Sequence, residues 1–399
     1  MTESLLLKRN IWLVYTLTAL TNAWFWVAIW VFYYLRFTDY AGIGFLESVM
    51  IITYVFGEIP TGAVADLLGK KYTMTVSYLL QAIGFALIGL AGSMTALSVG
   101  VITASLGGVL ASGTVDALIY DSLLYLKEEN RFEKVIGNIA TIRMTALAAV
   151  SIVGGYLYEI MPGLPFLALS GFIGCAVVVS LFLKEPPIDS VVFSLRNYLH
   201  QTKKGFHELF KTPVIKRQSI ILIVLSMIVG MNGHVFIDTQ LYNQGWSASQ
   251  LGYVATIMFT IAAVLSQLTP VVTRVFGRFR ASIVTAFLIA LSMITVPLFG
   301  MVLATFTILI RDGILQIFGN TASATINAAT ESKYRATTLS TYSMLSNIPY
   351  VLLAYFLGRM MDLWSVDGVV LILGIILGGA AIIFAYTLRN NLGKDPSHT

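Results

Sequence analysis

Charged side chains inside long apolar runs are the residues of this sequence best placed to do chemistry. Asp116 and Arg143 lie in neighbouring apolar runs, at nearly equal distances from the loop between them. A charge buried in hydrocarbon is costly unless it is paired or hydrated. The two residues therefore predict an ion pair, which is either static and structural or opens when Asp116 is protonated or a substrate binds.

Two later runs carry a second set of titratable residues. His234 and Asp238 are four residues apart, which places them on one face of a helix. Arg311 and Asp312 are expected at a comparable depth. An Asp beside His and Arg can exchange protons, because its pKa depends on its access to water and on its partners. The same residues could instead form an outer gate that closes by ion pairing.

Motifs of soluble enzymes are not found. The sequence has no Gly-x-Ser-x-Gly, no Cys-x-x-Cys and no His-Glu-x-x-His pattern. Gly-Lys-Lys at 69–71 lacks the spacing of a phosphate-binding loop. We therefore expect neither an enzyme nor an ATP-driven pump, with no cofactor and no metal site.

The elements that must position these residues are membrane-spanning helices. The 399 residues are 57% hydrophobic and 11% charged, whereas a soluble globular protein has about 25% charged residues. Apolar runs of about 20 residues, enough to cross a bilayer, can be placed twelve times. This predicts an all-α membrane protein with spans at 11–35, 43–65, 72–92, 96–121, 136–158, 165–183, 218–241, 249–272, 281–301, 303–328, 338–360 and 366–388.

Lys and Arg are concentrated in alternate loops. With a cytoplasmic N-terminus, most of the 25 Lys and Arg residues fall on the cytoplasmic side, and only Arg36 and Arg359 lie outside. This asymmetry predicts a multi-pass protein of the cell membrane with both termini in the cytoplasm. The net charge of +5 follows from this topology and does not indicate a nucleic-acid partner.

A polar stretch divides the chain into two halves. Its apolar residues recur at helical spacing with Lys203 and Lys204 on another face, which predicts an amphipathic helix on the cytoplasmic membrane surface. The halves also look like repeats, since Ile43-Gly44-Phe45 matches Leu251-Gly252-Tyr253. The predicted domains are a six-helix bundle at 1–184, a linker at 185–217 and a second six-helix bundle at 218–399.

The loop between the second and third predicted spans carries a motif. It has the form Gly-x-x-x-Asp-x-x-Gly-Lys-Lys, in which the glycines allow close packing and a turn and the lysines hold the loop in the cytoplasm. Its residues are Gly62, Asp66, Gly69, Lys70 and Lys71. A motif of this kind between two membrane-length runs resembles the loop signature of the major facilitator superfamily. Leu67 departs from the family pattern, which usually has Arg after the Asp, so the usual partner of Asp66 is missing.

The resemblance implies two pseudo-symmetric six-helix bundles, with helices 1, 4, 7 and 10 lining a central cavity. Polar and aromatic residues on these helices are candidates for binding a substrate. They are Asn22, Trp26, Ser112, Tyr120, Asn232, Gln316, Asn320 and Asn327. Glu58 lies in a Glu-Ile-Pro-Thr-Gly run that recurs in the superfamily. It either pairs across the two halves or is tied to backbone that Pro60 leaves unbonded.

The resemblance also implies a secondary transporter that works by alternating access on a small-molecule substrate. Acidic groups in both halves and an aromatic first helix favour proton-coupled export, by antiport, of amphipathic or cationic molecules. One alternative is uptake of a polar metabolite by proton symport or facilitated diffusion, which the polar face of the tenth helix would suit. Another is a lipid flippase or a non-transporting receptor. We expect a monomer in the lipid bilayer.

Overall fold

The computed structural model describes the backbone of residues 3–187 and 195–392. All regular secondary structure in these two stretches is helical, as predicted. Within the helices, side chains are not described for residues 58–68, 195–199, 201, 332, 336 and 388–392. Of the predicted site residues, Glu58, Gly62 and Asp66 therefore lie outside the described side chains.

Eight helices make up most of the first of two compact units, which comprises residues 3–187, 195–198 and 247–256. They are α1 (Glu3–Thr21), α2 (Trp30–Tyr34), α3 (Tyr40–Leu68), α4 (Lys70–Gly89), α5 (Met94–Ala111), α6 (Thr114–Tyr125), α7 (Phe132–Ile160) and α8 (Leu164–Ser180). The helix α4 packs along α5 and α8. A Cβ atom added to Gly84 would lie 2.3 Å from the backbone nitrogen of Ala104, so α4 and α5 meet backbone to backbone.

The second unit comprises residues 199–246 and 257–392. The remaining helices are α9 (Leu195–Phe210), α10 (Pro213–Met231), α11 (Ile237–Asn243), α12 (Ala248–Ser266), α13 (Thr269–Phe276), α14 (Arg278–Thr295), α15 (Met301–Ala329), α16 (Arg335–Leu363) and α17 (Val366–Leu392). The helix α14 packs against both α15 and α17. Its contact face is made of small and aliphatic side chains, such as Ala286, Ile289 and Ala290, all of which are buried.

Nine helical segments in the described part of the chain are long and apolar enough to cross a membrane. The other three predicted spans are also helical and correspond to α1, α8 and α16. The helix α8 is apolar but has only 17 residues, and α16 has 29 residues with Pro349 inside it. The chain is thus a multi-pass helical membrane protein, and its helices are consistent with the twelve predicted.

The first predicted span, 11–35, is wrong as a single helix. The helix α1 ends at Thr21, and regular helix resumes only at Trp30. At the break, the amide nitrogen Nδ2 of Asn22 donates a hydrogen bond to the carbonyl oxygen of Thr18 at 2.9 Å. A short polar side chain that bonds the backbone in this way competes with continuation of the helix.

The non-helical segment between α1 and α2 is held against α7. A Cβ atom added to Gly154 would lie 1.7 Å from the carbonyl oxygen of Phe25, so only glycine leaves room for this carbonyl. Backbone that is not helical is tolerated at membrane depth only inside protein or beside a water-filled cavity. Gly154 therefore allows the break in the first span to be enclosed by protein.

Two further predicted spans are interrupted. Residues 96–121 form two helices, α5 and α6, because Gly113 adopts a left-handed conformation with φ 73°. In the span predicted at 218–241, a π-helical turn at Asn232–Phe236 joins α10 to α11. Such wider turns are frequent at functional sites, and they change the register of the side chains that follow.

The helix α9 lies in the predicted linker and packs on the second unit. Its Gly205 faces α16, where an added Cβ atom would lie 2.6 Å from the hydroxyl oxygen of Thr341. The buried carboxylate of Glu208 accepts hydrogen bonds from Lys211 Nζ at 2.8 Å and from the backbone nitrogen of Glu331 at 3.2 Å. These contacts tie α9 to the loop before α16.

Candidate functional site

The first unit contains a cavity of about 350 Å³. This is within the usual size range of small-molecule sites, about 300–1,000 Å³. Residues from six helices and from the segment after α1 surround it. The described lining residues are Val14, Leu17, Thr18, Thr21, Asn22, Trp24, Tyr54, Tyr78, Gln81, Gly108, Ala111, Ser112, Val115, Ile139 and Arg143. Of the predicted residues, Asn22, Ser112 and Arg143 are thus brought together.

The break after α1 forms one wall of this cavity. The Asn22 amide nitrogen is occupied by the Thr18 carbonyl, so the side chain offers its oxygen Oδ1 as an acceptor. The indole nitrogen of Trp24 donates to the carbonyl oxygen of Thr21 at 3.0 Å. Because that donor is already used, Trp24 contributes apolar ring surface to the cavity.

Two polar side chains that the sequence reasoning missed complete the wall. The hydroxyl of Tyr54 lies over Gly108, where an added Cβ atom would be 2.2 Å from it. Gln81 donates from Nε2 to Ser77 at 3.1 Å, which leaves its oxygen Oε1 as an acceptor. Gln81 could have been predicted, because a side-chain amide in the middle of an apolar run is costly unless it is hydrogen-bonded or hydrated.

Arg143 is the one charged residue among the described residues that line this cavity. Its side chain is exposed and makes neither an ion pair nor a hydrogen bond with another described residue. The predicted ion pair with Asp116 is not formed in this structure. The prediction assumed one continuous helix, but α6 restarts after Gly113 and places the exposed Asp116 in its first turn.

Trp26 and Tyr120 do not line the cavity. The ring of Trp26 stacks on Trp24 at 5.4 Å and on Phe166 at 6.2 Å, measured between centroids. The ring of Tyr120 meets the edge of Phe132 at 5.5 Å. The break after α1 brings Trp24, rather than Trp26, to the lining of this cavity.

The second unit contains a cavity of about 380 Å³. Its described lining residues are Ser226, Val229, Gly230, Leu315, Phe318, Gly319, Ala322, Ser323, Leu339, Tyr342, Ser343, Ser346 and Asn347. All of these side chains are uncharged. The hydroxyls of Ser226 and Tyr342 are hydrogen-bonded to each other, and Ser346 donates to the carbonyl oxygen of Tyr342 at 2.9 Å. This wall can therefore exchange hydrogen bonds with a polar ligand but supplies no charge.

His234 contacts this cavity through one of its lining residues. Its nitrogen Nε2 lies 3.4 Å from the oxygen Oδ1 of Asn347, and its ring stacks on Tyr350 with centroids 5.0 Å apart. Asp238, which was predicted on the same face, is half-buried. The π-helical turn lies between the two residues, so the spacing of a regular α-helix does not apply to them.

Arg311 is fully buried and belongs to a network that joins three helices. It donates from Nη2 to the side-chain oxygen of Gln240, and Gln240 donates from Nε2 to Asp367 at 2.7 Å. Its neighbour Asp312 is half-buried. Arg311 was predicted from the sequence, whereas Gln240 and Asp367 were not, because they lie near the ends of their helices and look like interfacial residues.

The remaining predicted residues of the second unit lie outside its cavity. Asn232 is fully buried, and neither polar atom of its side chain has a hydrogen-bond partner among the described residues. On α15, Gln316 is exposed, Asn320 donates to Thr269 at 3.2 Å, and Asn327 is half-buried. The face of α15 that lines the cavity is instead the one that carries Ser323.

The loop motif is built into a network of charges at the end of the first unit. Gly69 has φ 83° and precedes α4, whose first two backbone N–H groups, at Lys70 and Lys71, donate to the carboxylate of Glu185 at 2.9 and 2.8 Å. The ammonium group of Lys70 lies 2.5 Å from the carboxylate of Asp121, and both side chains are largely buried. Lys70 thus has a local partner in the first unit.

The family of this chain was identified by comparison with known proteins. The model of the Major Facilitator Superfamily matches residues 11–348. A curated relative from Bacillus subtilis (strain 168), the uncharacterized MFS-type transporter YxaM, is 25% identical over 247 residues. The match covers 60% of this chain and 60% of the relative, so the chain spans less than two thirds of the relative's length.

Solved structures with the same fold include the nucleoside transporter NupG, at a TM-score of 0.72 and 16% identity over 98% of this chain and 100% of that one. A bacterial homologue of the human lysosomal transporter Spinster gives a TM-score of 0.74 at 15% identity, with both chains fully covered. A D-xylose-proton symporter gives 0.68 at 14% identity over 92% of this chain and 96% of that one. The long family match and the shared fold agree: this chain belongs to the Major Facilitator Superfamily.

Proposed function

We propose that this protein is a proton-coupled secondary transporter that moves a polar small molecule across the membrane by alternating access. The observation that carries the proposal is the cavity of the first unit, where Arg143 stands among the polar groups of Asn22, Tyr54 and Gln81. Pockets of this kind fix a ligand through a small number of polar groups. An uncharged polar cavity in the second unit supports the same class of substrate.

This proposal favours the polar-metabolite alternative over export of cationic molecules. A cationic substrate would be repelled by the guanidinium of Arg143, since no described residue that lines this cavity carries a negative charge. The similar folds fit a polar substrate, because they include a nucleoside transporter and a D-xylose-proton symporter. The direction of transport depends on how substrate movement is coupled to proton movement, and the lining of the cavity does not determine it.

The experiment is solute counterflow in proteoliposomes that contain the purified protein. The panel contains uridine, D-xylose, neutral and anionic derivatives of small metabolites, and one fluorescent lipophilic cation. We expect saturable exchange of at least one polar solute and no competition by the lipophilic cation. Exchange of the lipophilic cation alone would contradict the proposal and restore cationic export. Saturable binding without exchange would indicate a receptor.

Proton coupling is tested in the same proteoliposomes by substituting Asp116, which is exposed in the first turn of α6. A neutral asparagine side chain at this position can no longer take up or release a proton. We expect Asp116→Asn to lose accumulation driven by a pH gradient and to keep counterflow, because exchange at equilibrium needs no net proton movement. Accumulation at the wild-type rate would exclude Asp116 as the coupling residue.

A further inference from the structure

An arginine that is exposed at a cavity of a membrane protein can bind a negatively charged ligand. Arg143 has no ion pair and no hydrogen bond with another described residue, and its side chain is exposed at the cavity of the first unit. Charged groups within membrane segments are costly unless they are paired or reach water, and they mark substrate pathways. The substrate can supply the partner that Arg143 lacks among the described residues.

The shape of the guanidinium restricts that partner. Arginine presents N–H donors in a planar fork that matches the two oxygens of a carboxylate. A phosphate monoester carries a charge of about −1.5 to −2 near neutral pH. The described lining of this cavity offers one positive charge, which balances a single carboxylate better than a phosphate.

The other polar groups of the cavity define the rest of the ligand. Asn22 and Gln81 have their amide nitrogens engaged with the protein, so both present acceptor oxygens. Such acceptors select hydroxyl or amino donors on a ligand. The ring of Trp24 supplies an apolar face against which a carbon skeleton can pack. A volume of about 350 Å³ suits a molecule of small metabolite size.

We infer that the cavity of the first unit binds a small carboxylic acid bearing hydroxyl or amino groups, with the carboxylate on Arg143 and its donors on Asn22 and Gln81. This inference rests on the proposed function and names its substrate class. A hydroxy acid, a sugar acid or an amino acid has the required chemistry. A neutral sugar or nucleoside would leave the guanidinium unpaired.

The test is counterflow in proteoliposomes with three matched pairs of radiolabelled solutes. The pairs are D-glucuronate with D-glucose, L-lactate with propane-1,2-diol, and D-gluconate with D-glucitol. The proteins are the wild type, Arg143→Gln, Arg143→Lys and the control Arg217→Gln, which removes an exposed charge outside the cavity. Unfolding temperatures of all four proteins establish that they are folded.

We expect exchange of the acid in at least one pair and at least tenfold slower exchange of its neutral partner. Arg143→Gln is expected to lower exchange of the acid at least tenfold, with Arg143→Lys in between, because lysine keeps the charge and lacks the fork. Exchange in Arg217→Gln is expected to equal that of the wild type. Exchange of neutral members only, or of an acid at the wild-type rate in Arg143→Gln, overturns the inference and leaves the proposed function standing. Exchange of none of the six solutes, nor of any solute in the wider panel, contradicts both.

Discussion

The two units differ in the surroundings of one arginine each, Arg143 in the first unit and Arg311 in the second. In the first unit, Arg143 is exposed at a cavity and has no partner among the described residues. In the second unit, Arg311 is fully buried and bound to Gln240, and the cavity nearby is lined by uncharged described residues. A buried charge with protein partners holds one arrangement of helices together, whereas an exposed one is available to a ligand. The same residue type therefore holds helices together in the second unit and, in our proposal, binds the substrate in the first.

The largest expected effect separates these two arginines by stability. Arg311→Gln removes the charged donor that bonds the side-chain oxygen of Gln240, which we expect to destabilise the protein by about 1.5–3 kcal/mol. Arg143→Gln removes an exposed charge and should change stability by about 0.5 kcal/mol or less. Thermal unfolding of the purified proteins in detergent measures both. Equal losses of stability in the two variants would contradict a structural role for Arg311 that Arg143 does not share.

The second expected effect concerns the wall that shapes the first cavity. Gly154→Ala places a methyl group where the Phe25 carbonyl lies, and overpacking of this kind costs about 1–3 kcal/mol. The matched control is Gly137→Ala on the same helix, where an added Cβ atom meets nothing within 4 Å. We expect a lower unfolding temperature and slower transport for Gly154→Ala only. If both variants behave as the wild type, the break after α1 does not depend on this glycine.

A smaller effect is expected in the uncharged cavity of the second unit. Tyr342→Phe removes one hydroxyl that bonds to Ser226, and a neutral hydrogen bond contributes about 0.5–1.5 kcal/mol. We expect the apparent affinity for the transported solute to fall by about two- to tenfold. The maximal transport rate is expected to change by less than about twofold. Loss of transport comparable to that of Arg143→Gln would show that the two cavities contribute equally.

The smallest effect is a pH dependence at α9, outside the membrane-spanning segments. Burial alone would raise the pKa of Glu208, but the hydrogen bonds from Lys211 and from the Glu331 backbone outweigh it and lower the pKa below its ordinary value. A lowered folded-state pKa stabilises the folded state above the ordinary value of about 4.3. That stabilisation is lost as the pH falls through the folded-state pKa.

The measurement is hydrogen exchange of the amides of α9 at pH 7 and at decreasing pH. The wild type is expected to protect α9 more than Glu208→Gln does at pH 7, and the difference is expected to vanish in acid. The exposed acid Glu129 provides the control, and Glu129→Gln should exchange like the wild type at α9. A difference between wild type and Glu208→Gln that persists unchanged in acid would show that the carboxylate charge does not hold α9.

The sequence predicted the helical architecture better than the details of the site. Hydropathy locates helices because each span must satisfy its backbone internally, and that requirement leaves a long apolar run. The breaks at Asn22 and Gly113 leave no such trace, since hydropathy continues across them. Each break rotates the residues that follow, which explains why Trp24 lines the cavity in place of Trp26 and why Asp116 does not meet Arg143.

Residues that act through tertiary contacts were the hardest to predict. Tyr54 and Gln81 come from helices that the family resemblance did not assign to the cavity, and they reach it because Gly107 and Gly108 let the helices approach closely. Arg143 was predicted to pair with Asp116, and that ion pair is not formed in this structure. Spacing gives the depth of a residue and not the direction of its side chain, so it could not show that the two side chains stay apart.

The most direct test of the account asks whether the transported solute occupies the cavity of the first unit. Ser112 lines this cavity and is exposed, and Cys175 is the single native cysteine, so Cys175→Ser provides a background for labelling. In that background, Ser112→Cys is labelled with a hydrophilic maleimide with and without the transported solute, beside Gly92→Cys in an exposed loop. The account predicts that the solute slows labelling at position 112 severalfold and leaves position 92 unchanged. Labelling at position 112 that is equally fast with saturating solute would contradict it.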